Sequence, residues 1–407
     1  MFLAIFFVMA CLYSFKKGSK ESEVGDFFCF WNAGKNFYSG QSLYNPGPRH
    51  RPFIYPSFAA MIFGLSSFVP MKVAAGLFTL FNVFQWIFTF FLLSRLIDFF
   101  YPKSKYRPWI LFFSFIGSFK FFLNNLNMVQ VNQLILLLCL LGFYYFIKKK
   151  ETYALIYFSL ATFIKITPVF FLVWIIIRGP RKLWNQFLVL SLAFFLLPWT
   201  IRGSRFLTDF IEYYDLFLAK FAKGGATVYY SNQNLAATLH RLFLPLKEID
   251  TSGFHMNPLL VLPESVVKWI YLSLVIILLV SFLWILMRLR KLKVGILFWE
   301  PSLVFLLSYL ISGVTWKAHL VGMSLVYASF FGYVFSRLNS IKYKFSYQIF
   351  FFYILFCSFA GKSLIGHKWQ RLLGGYGIYT FLMLILYLWC LYRIFFESGK
   401  RKANITS

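Results

Sequence analysis

Thirteen Asp and Glu stand among 407 residues, so each carboxylate can be weighed as a group able to exchange protons. Asp26 directly precedes the aromatic stretch Phe27-Phe28-Cys29-Phe30-Trp31, just after an apolar run over 1–15, which puts it at a membrane surface. Asp209, Glu212 and Asp215 fall at i, i+3 and i+6 beside Phe206, Phe210 and Phe217, the pattern of the polar face of an interfacial helix. Asp98, Glu151 and Glu397 sit among basic clusters and read as solvated ion pairs. Glu300, beside Pro301, interrupts an apolar run, where a carboxylate costs about 2.5–3.5 kcal/mol. The cations Lys120 and Arg202 read as snorkelling side chains at helix ends, and Arg49, His50 and Arg51 as solvated loop charge. No HExxH, paired CxxC, Walker loop or GxGxxG motif occurs. Metal hydrolysis, nucleotide binding and redox chemistry therefore have no support, and neither metal nor cofactor is expected.

These groups need a scaffold, and composition names its solvent. Sixty per cent of residues are hydrophobic and 13% charged, against about 25% charged in soluble domains. The net charge of +28 does not indicate nucleic acid here, because the basic residues cluster between apolar runs as cytoplasmic loops do. Runs near the roughly 20 residues a span needs are 1–15, 73–94, 108–124, 129–147, 152–178, 183–201, 266–287, 294–313, 318–336, 346–360 and 376–395. The basic clusters all share one side only if 53–69 does not fully cross and if 152–178 breaks into two helices near Lys165 to Pro168. That topology puts loops 16–52 and 202–265 and the turns near 125–128, 313–317 and 361–375 on the external face. The five cysteines lie singly, mostly in apolar runs, and read as small hydrophobes.

A family likeness joins these pieces. Asp26-Phe-Phe-Cys-Phe-Trp-Asn-Ala-Gly, then Tyr38, Gly40, Leu43-Tyr44-Asn45-Pro46 and Phe53-Ile54-Tyr55-Pro56, resembles the opening of glycosyltransferase family 87. Val129-Gln130-Val131-Asn132-Gln133 resembles its Gly-Gln-x-Asn segment with the glycine replaced. Ala161-Thr-Phe-Ile-Lys165-Ile-Thr-Pro168 is similar to its Ile-Lys-x-x-Pro turn, and Asn232-Gln233-Asn234 with Arg241 to its Asn-Gln-Ser segment. The resemblance implies an all-α polytopic membrane protein of the GT-C type, a single transmembrane domain over 1–407 with about 11–13 membrane helices and short amphipathic helices in its external loops. It also implies inverting transfer of a hexose, with mannose the family's sugar, from a polyprenyl-phosphate donor to a glycolipid or glycan acceptor. Asp26 takes the place of the family's base.

Such a reaction needs one carboxylate to accept the hydroxyl proton, because the phosphate leaves as an anion. The two carboxylates of a glycosidase are not required. Lys165 is placed to meet the donor phosphate, and His319, after Trp316 and Lys317, to hold that phosphate or orient Asp26. Asn232, Gln233, Asn234 and Arg241 are candidates for sugar or phosphate binding, with a helix cap as their plain alternative, and Tyr55 and Gln133 complete the expected substrate-binding set. The expected site is the bacterial inner membrane, with the reaction on its external face. The rival readings are a transporter, for which Glu300 would be the midplane charge, and a lipid-linked oligosaccharide polymerase or ligase, for which Arg241, His240 and His255 would be available.

Overall fold

The computed structural model describes residues 26–44, 52–219, 228–246, 255–337 and 344–406, with scattered positions between 5 and 16. Among the described residues every regular element is helical. The chain runs through α1 (Asp26–Ser39), α2 (Ser57–Gly64), α3 (Met71–Phe100), α4 (Arg107–Asn127), α5 (Asn132–Ile147), α6 (Glu151–Ile164), α7 (Val169–Arg178) and α8 (Leu183–Leu196). It continues through α9 (Trp199–Arg202), α10 (Arg205–Tyr213), α11 (Leu235–Phe243), α12 (Glu264–Lys291) and α13 (Trp299–Ile311). It ends in α14 (Met323–Ser336), α15 (Lys344–Phe359), α16 (Lys362–Gly375, kinked at Gly366) and α17 (Ile378–Thr406).

Helices satisfy their own backbone hydrogen bonds, which hydrocarbon cannot do for them. Among the described residues six are long and apolar enough to cross a bilayer, and five shorter apolar helices accompany them. The protein is an all-α, multi-pass membrane protein. The segment expected not to cross forms the 8-residue α2 and a 4-residue 3₁₀ turn, Leu65–Phe68. Together these reach about 20 Å, short of the roughly 30 Å of hydrocarbon. The span expected over 294–313 is helical only from Trp299 to Ile311.

The chain divides into two compact units, one holding 1–92, 121–172 and 179–222, the other 93–120, 173–178 and 223–407. In the first, α1 lies against α2 where Gly34 meets the backbone of Gly64; a Cβ at Gly34 would stand 2.5 Å from Gly64 N. Helices α5 and α6 form a hairpin in which Gly142 seats the Phe158 ring and Tyr145 stacks on Tyr157 at 5.4 Å. The break expected before Pro168 is present: Lys165 leaves α6 in extended geometry, φ −149° and ψ 124°.

Two readings of charge are corrected in this unit. Arg202 does not snorkel, and Asp209 is not on a solvated face. Arg202 Nε and NH2 donate to the Asp209 carboxylate at 2.7 and 2.8 Å, and Asp209 is 1% exposed. The guanidinium also donates to the carbonyls of Asn36, Phe37 and Gln41, where α1 ends. A planar five-donor fork meets a carboxylate and orphan helix-end carbonyls at once, which an extended, solvated side chain would forgo. Of the other two acids, Glu212 accepts from Ser42 Oγ at 3.1 Å, while Asp215 is exposed.

In the second unit α13 is buried along its whole described length except its last residue. It packs on α14 through a Ser302–Ser329 hydroxyl pair at 2.8 Å. Glu300 is enclosed there and accepts from Arg178 Nε at 2.8 Å, Trp174 Nε1 at 2.8 Å and Leu297 N at 2.8 Å. A buried carboxylate committed to three donors, one of them a guanidinium, is a lock between chain segments. On this geometry Glu300 is not exposed to solute, as the transporter reading would ask.

Candidate functional site

The first unit gathers a polar cluster around Asp26. Asp26 is in the first turn of α1, where a negative charge is favoured by the helix dipole by about 0.3–1 kcal/mol. Phe27, Phe30 and Phe37 sink into the core behind it, Phe30 packing on Tyr55 at 5.0 Å and Phe63 at 4.6 Å. The half-buried carboxylate is thus fixed by aromatic packing one residue away. Asp26 Oδ2 accepts from Gln130 Nε2 at 2.7 Å, and Gln130 Oε1 receives a long 3.5 Å contact from the Tyr55 hydroxyl.

Gln130 is presented by the tight connection between α4 and α5. Gln130 N and Val129 N bond back to Asn125 O and Leu126 O, while Asn125 Nδ2 donates to Gln130 O at 3.2 Å. Val129 pivots the turn at φ 47°, in the left-handed region that glycine favours and β-branched residues avoid. Position 129 is the one at which the resembling segment carries glycine.

From Asn125 the network runs on. Asn132 Nδ2 donates to Asn125 Oδ1 at 3.3 Å, and Lys165 Nζ donates to Asn132 Oδ1 at 2.6 Å. Lys165 Nζ also stands 5.6 Å from the centroid of the Tyr55 ring, a cation–π distance. Lys165 lies in the turn between α6 and α7, outside the apolar helices, and burial pushes its pKa down to about 7. Burial, with the nearby Asp26 charge second, raises that of Tyr55, which keeps its proton as a donor. Asp26, Tyr55 and Lys165 are therefore brought together, with Gln130 and Asn132 as the links. Neither link was nominated from sequence, although Gln130 and Asn132 are the Gln and Asn of the Gly-Gln-x-Asn likeness. Gln133, the residue nominated from that stretch, turns elsewhere: its Nε2 donates to Thr89 Oγ1 at 2.8 Å.

The second unit holds the other nominated residues. Asn234 caps α11, its Oδ1 accepting from Ala237 N at 2.8 Å, and its Nδ2 donates to Ser312 O and Gly313 O. Asn232 Oδ1 accepts from Thr315 N at 2.9 Å. Gln233 Nε2 donates to Tyr230 O and Gly374 O, and its Oε1 receives Tyr379 N. Arg241, 1% exposed, donates to Gly375 O, Tyr229 O and Thr238 Oγ1. All four side chains are occupied in tying α11 to its neighbours. His319 lies in the 3₁₀ turn Lys317–Gly322 and accepts from Trp316 N on Nδ1 at 3.2 Å, so the neutral ring carries its proton on Nε2. Glu21, Glu23, Arg49, His50, Arg51, Glu248 and Asp250 lie outside the described residues. Among the described residues no three His, Cys, Asp or Glu side chains converge as metal ligands would.

A multi-pass helical membrane protein that mounts a carboxylate at a helix start, tied through amides and a tyrosine to a lysine in a broken helix, is the class these observations define. The profile of glycosyltransferase family 87 matches residues 53–313, nearly two thirds of the chain, and the protein belongs to that family. Tyr55, Gln130, Lys165 and Arg241 fall inside the matched stretch; Asp26 and His319 flank it. No curated protein matches the chain. It is a membrane glycosyltransferase.

Proposed function

We propose that this glycosyltransferase moves a hexose, mannose by family, from a polyprenyl-phosphate donor to a hydroxyl of a lipid or envelope-glycan acceptor, with inversion. The acceptor oxygen attacks the anomeric carbon while Asp26 takes the hydroxyl proton. The bond from that carbon to the phosphate oxygen breaks, and its electron pair leaves with the polyprenyl phosphate. Lys165 meets the negative charge that grows on the departing phosphate, a partner made only as the bond breaks. His319 is a further candidate for the phosphate.

The observation that carries this reading is the Asp26–Gln130–Tyr55–Lys165 cluster, which sets a proton acceptor and a cation in one polar network. The donor's polyprenyl tail suits a GT-C enzyme embedded in the bacterial inner membrane. The basic clusters between the apolar runs support an external reaction face under the positive-inside rule.

The test is transfer from a polyprenyl-phosphate sugar by membranes carrying Asp26→Asn or Asp26→Ala at normal protein level. General base catalysis contributes about 10²–10⁴-fold, and a loss of that size is expected in both. Full activity in either variant would overturn the assignment of the base.

A further inference from the structure

Two lysines in the second unit share one tyrosine. Lys120 Nζ donates to Ala360 O at 2.6 Å and to the Tyr379 hydroxyl at 2.7 Å. That hydroxyl in turn donates to Cys357 O at 3.1 Å, so the tyrosine aims the lysine and has no proton left for a ligand. Lys317 Nζ stands 5.8 Å from the centroid of the Tyr379 ring, and Lys120 Nζ 5.4 Å from it. Lys317 is only 9% exposed. Among the described residues neither ammonium has a carboxylate within 4.0 Å.

Each ammonium carries three N–H donors. Lys120 commits two of them. Lys317 commits none to a hydrogen bond among the described residues, so its three are uncommitted there. Gly361 lies beside Lys120; a Cβ there would stand 3.9 Å from Lys120 Nζ, an ordinary contact distance. Charges in a membrane protein are costly unless paired, and like charges held together cost more. Two other buried cations meet this cost with acids, Arg178 with Glu300 and Arg202 with Asp209. Here two cations stand around one ring with no carboxylate within 4.0 Å among the described residues.

We propose that Lys120 and Lys317 form a phosphate-binding site, filled by the phosphate group of a polyprenyl-phosphate lipid or by free phosphate. A phosphate brings close to two negative charges and oxygens in several directions, matching two cations with uncommitted donors. The site stands on the second unit's own residues and does not depend on Asp26.

The experiment is calorimetric titration of the full-length protein in zwitterionic phosphatidylcholine nanodiscs, with inorganic phosphate and with a polyprenyl phosphate as separate probes. It is run in wild type and in Lys165→Gln, so that binding at Lys165 is counted apart. In both backgrounds Lys317→Gln and Lys120→Gln are expected to weaken binding at least tenfold, while Lys317→Arg stays within about threefold of its parent. Because Lys317 makes no hydrogen bond among the described residues, its Gln and Arg variants should keep the parent's melting temperature and carry the test even if Lys120→Gln misfolds. Binding of the lipid probe alone identifies a lipid headgroup as the occupant; equal binding of both identifies phosphate itself. Absence of binding with both probes, or unchanged binding in Lys317→Gln, overturns the proposal. Asp26→Asn is expected to bind as wild type, so an active Asp26→Asn would sink the base assignment and leave this site standing.

Discussion

Around Asp26 and around Asn234 the chain uses the same polar side chains to different ends. In the first unit, amides and a tyrosine hydroxyl bond to one another and to a carboxylate and an ammonium, so the network is made of side chains. In the second, Asn234, Gln233 and Arg241 bond mainly to backbone carbonyls and amides, so the network is made of the fold itself. The contrast teaches that a polar residue in a membrane protein is informative about chemistry only once its acceptors are known. A side chain spent on the backbone holds shape, whereas Gln130 and Asn132 spend theirs on the titratable Asp26 and Lys165.

Breaking the Arg202–Asp209 pair should have the largest effect on stability. Arg202→Met leaves a buried carboxylate without its cation and frees three carbonyls at the end of α1, a loss of about 3–5 kcal/mol that thermal unfolding in detergent would register. Lys165→Met should reduce kcat/KM by about 10–100-fold with the protein intact, the worth of a hydrogen bond to a charged partner. Its pH profile sharpens the comparison. With a pKa lowered to about 7, Lys165 is charged below that pH and neutral above it, so kcat/KM should fall as pH rises through 7. In Lys165→Arg that fall should be missing. Asn234→Ala, by contrast, should cost about 1 kcal/mol of stability through the lost cap and leave turnover per folded molecule unchanged. A kinetic defect in Asn234→Ala without loss of stability would erase the distinction between the two regions.

The smallest effect concerns Val129. Glycine is ordinarily less stable than alanine by about 0.5–1 kcal/mol, but at a left-handed position the order should reverse. Val129→Gly is expected to melt above Val129→Ala.

Much of this was legible in the sequence. Apolar length and basic clusters give the helical membrane fold, and Pro168 marks the break at which Lys165 leaves its helix. Asp26 stood out because an acid before five apolar and aromatic residues has one plausible place to lie. What was hidden depends on partners far along the chain. Asp209 looked like one acid on an amphipathic face, and only folding brings the end of α1, over 160 residues away, to its partner Arg202. Gln130 and Gln133 are both polar residues in one short segment, and no periodicity tells which meets Asp26, because the turn at Val129 decides it. Glu300 resembled a transport charge until Arg178, over a hundred residues away, closed on it.

The Gly34–Gly64 contact has a mechanical consequence. It is the fulcrum of α1, eight residues or about 12 Å from Asp26, while Arg202 clamps the far end of the helix. A side chain at position 34 would wedge the two backbones apart, and a tilt of only about 10° about that point would swing the carboxylate by about 2 Å. Misplacement of about 1 Å is already enough to cost a reaction about a hundredfold. The placement of the Asp26 carboxylate thus rests on two hydrogen atoms in place of side chains, about 12 Å from the carboxylate itself.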